Sequence, residues 1–184
     1  KRFSAAEYNY HRIHEKIAES WGTFELGKRN CALEINIPDL HLGKLAWKEE
    51  SGEDYDIKIA VKRYEDAVFE LVGRTNVNNL EKFILVVGHD FFNVDGKNNQ
   101  TTAGTPQGND SRFYKMVQIG KRLLIDTIDK LTCIAPVDVV VVPGNHDNIS
   151  MLMMGDILEA WYHKAPLVKV ITGAAPRKYY QYGQ

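Results

Sequence analysis

Apolar residues along this chain fall into short unbroken runs that alternate with longer stretches of helical spacing. Cys31–Ile37, Phe83–Val87 and Val137–Val142 are the unbroken runs, rich in branched side chains, and they predict strands. The second has the continuous form expected of a strand covered on both faces. Between the first two, Ile57, Ala60, Val61, Tyr64, Ala67, Val68, Leu71 and Val72 recur at helical spacing, with Gly73 as a C-cap. Before the third, Phe113, Met116, Val117, Gly120, Leu123, Leu124 and Ile128 mark one face of a second helix, which Asp110 or Ser111 can cap. A third helix over about 151–163 and a short strand over 167–171 follow. This alternation predicts right-handed crossovers and a mainly parallel sheet, an α/β fold of order βαβαβαβ.

Outside this frame the pattern weakens. Residues 1–28 carry aromatics and mixed charges, with Ile13 and Ile17 four apart and Gly22 and Gly27 as interruptions. They read as a helical N-terminal extension to a domain over 29–184. The acidic segment 49–56 lacks the spacing of a calcium loop and reads as solvated, with carboxylates at a helix start. The polar segment 96–110 contains three glycines and follows a strand directly, which suggests a loop on the substrate side.

The chemistry gathers where the strands end. The first runs into Asp39-Leu40-His41-Leu42-Gly43, the second into Gly88-His89-Asp90, and the third into Pro143-Gly144-Asn145-His146-Asp147. Ligands of open α/β sheets collect at the carboxyl ends of strands, so three such ends suggest one shared site. Carboxylates, imidazoles and an amide suit a hard or borderline divalent ion. Asp39 and His41 can aim at one ion, Asp90 can span two, Asn145 offers a carbonyl oxygen, and His146 can be a ligand or a proton donor.

Composition narrows the alternatives. The chain has 184 residues, 44% hydrophobic and 26% charged, the size of about one soluble domain. A formal net charge of -1 gives no global attraction to nucleic acid or membrane. Two cysteines, Cys31 and Cys133, with no short ligand spacing between them, leave a zinc finger or a disulfide framework unsupported and favour a reducing, cytoplasmic compartment. No run is long enough for a membrane span, and no signal-peptide pattern is present.

The ordered set Asp39-Leu40-His41-Leu42-Gly43, Gly88-His89-Asp90 with Asn93, and Gly144-Asn145-His146-Asp147 resembles the calcineurin-like metallophosphoesterase family. That family carries Asp-x-His, Gly-Asp-x-x-(Asp/Asn), Gly-Asn-His-(Asp/Glu) and then further histidines. The resemblance covers roughly residues 32–172. Residues 37–47, 101–106 and Arg177-Lys178-Tyr179-Tyr180 are similar to its phage and prophage branch, which implies a bacterial cell or phage-infected host. It implies a β-sandwich flanked by helices, with mainly the first half present here and the domain truncated on its C-terminal side. It also implies two divalent ions, manganese foremost and iron or zinc next. Asp39 and His41 would hold the first ion, Asp90 would bridge, and Asn145 would hold the second. His146, oriented by Asp147, would act as general acid or transition-state stabiliser while a hydroxide activated by both ions attacks phosphorus in line.

Two departures stand out. His89 is inserted between a glycine and an aspartate that are usually adjacent, which makes Asp95 a second candidate for the bridging place. The later histidines are expected beyond Gln184, because His163 reads as a surface residue, so this chain alone is expected to be weakly active.

The leading expectation is a phosphodiesterase acting on nucleic acid, since the first motif resembles the DNA-repair nuclease branch. Asp90-Phe91-Phe92-Asn93-Val94 lacks the arginine of the protein phosphatases. Asn93, Lys44, Lys97, Arg112 and Arg177-Lys178 are candidate phosphate contacts. The alternatives are a small-molecule or nucleotide phosphatase and a non-catalytic scaffold with an incomplete metal site. Apolar surface left by a missing second sheet would favour a homo-oligomer.

Overall fold

The computed structural model describes residues 31–75 and 79–183; the helix expected over 1–28 lies outside them. The elements are β1 (Cys31–Asn36), α1 (Lys48–Ser51), α2 (Ile57–Gly73), β2 (Leu80–Gly88), α3 (Phe113–Thr132), β3 (Val137–Val142), α4 (Asn148–Tyr162) and β4 (Val168–Ile171). The four strands form one sheet in chain order, β1-β2-β3-β4, and every neighbouring pair is parallel. The α/β reading and the alternating order therefore hold. Two boundaries differ: β2 starts at Leu80 rather than Phe83, and α4 starts at Asn148 rather than near 151.

Parallel order puts every strand's carboxyl end on one edge of the sheet. The register pairs Ile35 with Leu85 and Asn36 with Val86, and Val87 with Val141 and Gly88 with Val142, so the motif turns leave the sheet side by side.

Period-two alternation sorts the strand residues. Ile35, Phe83, Leu85, Val87, Val137, Val139 and Val141 are almost wholly buried and join one core. The helices supply its other half, through Tyr64 of α2, Met116, Leu124 and Ile128 of α3, and Met154 and Leu158 of α4. Large-to-small changes at such positions typically remove about 2–5 kcal/mol.

The opposite face is more polar. Lys82 bonds Asp138 at 2.8 Å, Tyr180 of the C-terminal segment donates to the same carboxylate, and Tyr182 donates to Glu81. β2 is thus covered on its second face only in part, by that segment, with a groove of about 550 Å³ between them. Among the described residues no helix is long and apolar enough to cross a membrane.

Two expected caps change place. Asp110 caps α2 rather than α3: its Oδ2 accepts from the Ile57 N–H at 3.1 Å, beside Asp56, whose Oδ1 accepts from Ile59. Arg112 occupies the boundary position of α3, without a side-chain cap. Gly73 is the last residue of α2 rather than its cap, and Arg74 follows with helical backbone angles.

Candidate metal centre

The site is built from two turns zipped together beyond the sheet. Past β1 and β2 the parallel pairing continues: Asp39 N–H donates to the His89 carbonyl (2.8 Å), His41 to Asp90 (2.9 Å) and Leu42 to Phe91 (2.8 Å). On the other side His89 N–H donates to the Val142 carbonyl, tying the same turn to β3. Four non-glycine residues here, Asp39, His41, His89 and Asp90, have φ between 46° and 65°, in the left-handed region. Each such residue carries a penalty on the order of 1–3 kcal/mol, held in place by the surrounding structure. Asp and His are among the residue types that enter this region most readily.

The left-handed pair also sends His89 and Asp90 to different places. His89 lines the groove on the polar sheet face, while Asp90, one residue on, turns toward His41 and His146. Gly88, at φ 129°, lies so close to β3 that a Cβ would overlap the Val142 carbonyl oxygen.

His41, Asp90 and His146 each offer one ligand atom, and these atoms lie within 4.8 Å of one another. The two imidazoles meet edge to face, with centroids 4.5 Å apart. Asp90 is buried, and its Oδ1 accepts the backbone N–H of His146 at 2.7 Å, joining the second and third motifs. Nδ1 of His146 lies 2.9 Å from the Asn93 carbonyl. A carbonyl only accepts, so Nδ1 carries the proton; in the neutral tautomer this leaves the lone pair on Nε2, the arrangement found in metal-binding histidines. Nδ1 of His41 is buried and has no hydrogen-bond partner among the described residues. Burial, and then the neighbouring His146, hold the His41 pKa below its ordinary value, which keeps the ring neutral and able to ligate. Two imidazoles, one of them with an orphaned ring nitrogen, and a carboxylate fit a divalent cation.

The remaining expected residues divide. Asp39 is exposed at the rim, its Oδ1 3.6 Å from Nε2 of His41. Asn145 is exposed, and its backbone carbonyl accepts from Thr102 N–H at 3.2 Å. Lys44 is exposed and lines a cleft together with Asp39 and His41. Lys97, Arg112 and Arg177 are exposed, and Lys178 bonds the Gly173 and Ala175 carbonyls of its own segment.

Three roles are corrected. Asp147 does not orient the His146 ring: fully buried, its two oxygens accept the backbone N–H groups of Phe92 and Gly144, at 2.9 Å each. Burial raises its pKa to about 7 even against those two bonds. Asn93 is buried, and its amide donates to the Gly108 carbonyl and to Asn109 Oδ1, so its side chain is engaged in building the turn rather than presented as an exposed phosphate contact. Asp95 is no bridging ligand: its carboxylate accepts the N–H groups of Ile149 and Ser150 and the hydroxyls of Ser150 and Thr102, capping α4.

Sequence reasoning passed over the seat of the second motif. Phe91 and Phe92 are buried, set edge to face at 4.9 Å, and anchor the turn that carries Asp90. They fit because Gly120 of α3 has no Cβ, which would stand 2.6 Å from the Phe92 ring. An aromatic doublet directly after Asp90 is the signal. It also passed over Thr102, whose hydroxyl oxygen accepts Asn148 N–H and brings the segment 96–110 onto the start of α4.

Comparison of the chain with protein-family models, curated proteins and solved structures found no match.

Proposed function

We propose that the chain is a metal-dependent phosphoester hydrolase of the calcineurin-like metallophosphoesterase type, acting as a phosphodiesterase on nucleotide-containing substrates. The observation that supports this most directly is the convergence of His41, Asp90 and His146 from three separate strand ends within ligating distance. The β-sandwich of that family, with its second sheet, belongs to this proposal.

A divalent ion supplies, when bound, a Lewis acid for phosphoryl oxygens and a lowered pKa for water. His41 and Asp90 would hold it. The carbonyl of Asn93 fixes the His146 tautomer, so Nε2 faces the cluster as ligand or as hydrogen-bonding partner of the phosphate. Asp39 at the rim and the exposed Asn145 would complete the coordination, of a second ion in the two-ion form. Asp147 keeps Phe92 and Gly144 in register, which keeps Asp90 facing His146. Lys44 supplies positive charge beside the cluster for an anionic substrate.

The test is manganese titration by calorimetry, followed by manganese-dependent hydrolysis of bis(p-nitrophenyl) phosphate. Binding that disappears in Asp90→Asn and His41→Ala, with hydrolysis lost in parallel, supports the proposal. Hydrolysis indifferent to chelator and to both substitutions overturns it. Binding without any hydrolysis would instead support a scaffold that retains its ion.

A further inference from the structure

A cleft of about 440 Å³ opens beside the candidate centre, and Asp39 and His41 form one end of it. Building on the phosphoesterase reading, we infer that this cleft receives a single nucleoside attached to the reacting phosphate. Its volume falls in the range of small-molecule pockets, ~300–1,000 Å³.

The lining has two parts that match the two parts of such a ligand. Leu40, Tyr64 and Ala67 give an apolar floor for the flat faces of a base. At the rim, Arg63 and Glu53 form a two-pronged pair, with NH1–Oε1 3.2 Å and NH2–Oε2 2.7 Å. Because Glu53 fixes it, the guanidinium is presented at a set angle over Tyr55, 5.3 Å from the ring centroid. Donor N–H groups and acceptor carboxylate oxygens then lie side by side, the complement of a base edge.

Tyr55 is itself fixed, its hydroxyl donating to the Leu40 carbonyl and its backbone paired with Ala46 in both directions. Lys44 also approaches this ring, with Nζ 6.0 Å from the centroid. Among the described residues it has no ion-pair partner, so its charge is available to the phosphate. The walls from α1 and α2 confine the occupant, which selects one nucleoside rather than a continuous duplex.

Thymidine 5′-monophosphate, ribose 5-phosphate and inorganic phosphate are titrated into the full chain loaded with manganese. The nucleotide is expected to bind at least about tenfold more tightly than the other two. Arg63→Ala and, as an independent variant, Ala67→Phe are expected to bring that preference below about threefold. Both should leave manganese and inorganic phosphate binding unchanged. Equal binding of all three probes, or a preference retained in both variants, overturns the cleft assignment alone. Failure to bind manganese overturns the hydrolase reading with it.

Discussion

Gly144 and Asp90 stand so close that a Cβ on Gly144 would overlap both Oδ1 and the backbone nitrogen of Asp90. The third motif begins with glycine because the second motif's carboxylate occupies that space, and the same oxygen accepts the His146 N–H. Gly144→Ala should therefore displace Asp90. It is expected to weaken manganese binding at least about tenfold and to destabilise the fold by about 1–3 kcal/mol, as overpacking does. Calorimetry and urea denaturation read the two effects, and wild-type affinity in this variant would disconnect Asp90 from the ion.

Asp147 is the residue whose role here is structural rather than chemical. Asp147→Ala leaves the Phe92 and Gly144 N–H groups buried without acceptors, at about 1–3 kcal/mol each. Asp147→Asn keeps one accepting oxygen and should be the milder change. Denaturation midpoints equal to that of wild type in both variants would show that neither bond matters.

The pH dependence of stability separates His41 from Asp147. The His41 pKa is depressed from 6.5 in the fold, so its contribution is present above that value and is lost as pH falls through the folded pKa. Asp147 has the opposite sign. Its pKa rises from 3.8 to about 7, so the fold holds the proton more tightly and stability declines as pH rises between those values. Ion-free protein carrying Asp147→Asn should therefore gain more stability than wild type between about pH 5 and 7. Parallel profiles for the two proteins would contradict the assignment.

Asp95 and Asp90 are five residues apart and do different work. Asp95→Ala removes the cap of α4 and should cost about 1 kcal/mol, with manganese affinity unchanged. Asp90→Asn should do the reverse. Loss of manganese binding in Asp95→Ala would return Asp95 to the ligand set.

The framework was legible because unbroken strands and helical spacing are local patterns, and chain order then determines that three motif ends meet. His41, Asp90 and His146 were readable for that reason. The errors concern partners distant in sequence: Asp110 lies 53 residues from the Ile57 N–H it caps, and Asp147 lies 55 from Phe92. A carboxylate that accepts backbone N–H groups and one that faces an ion look alike in a sequence. Only the backbone geometry around Asp147 distinguishes them. The placement of His89 was opaque for a related reason, since it depends on consecutive left-handed residues and the close approach of β3.

Strands laid down in chain order also set the sequence of assembly. β1 can find β2 as soon as α2 has formed between them, but β3 must dock before His146 reaches His41 and Asp90. A nascent chain, which emerges N-terminus first, thus holds one imidazole and one carboxylate until residue 146 is available. Metal capture at the proposed site would then be a late event that follows the docking of β3, and a half-made chain would have little with which to retain the wrong ion.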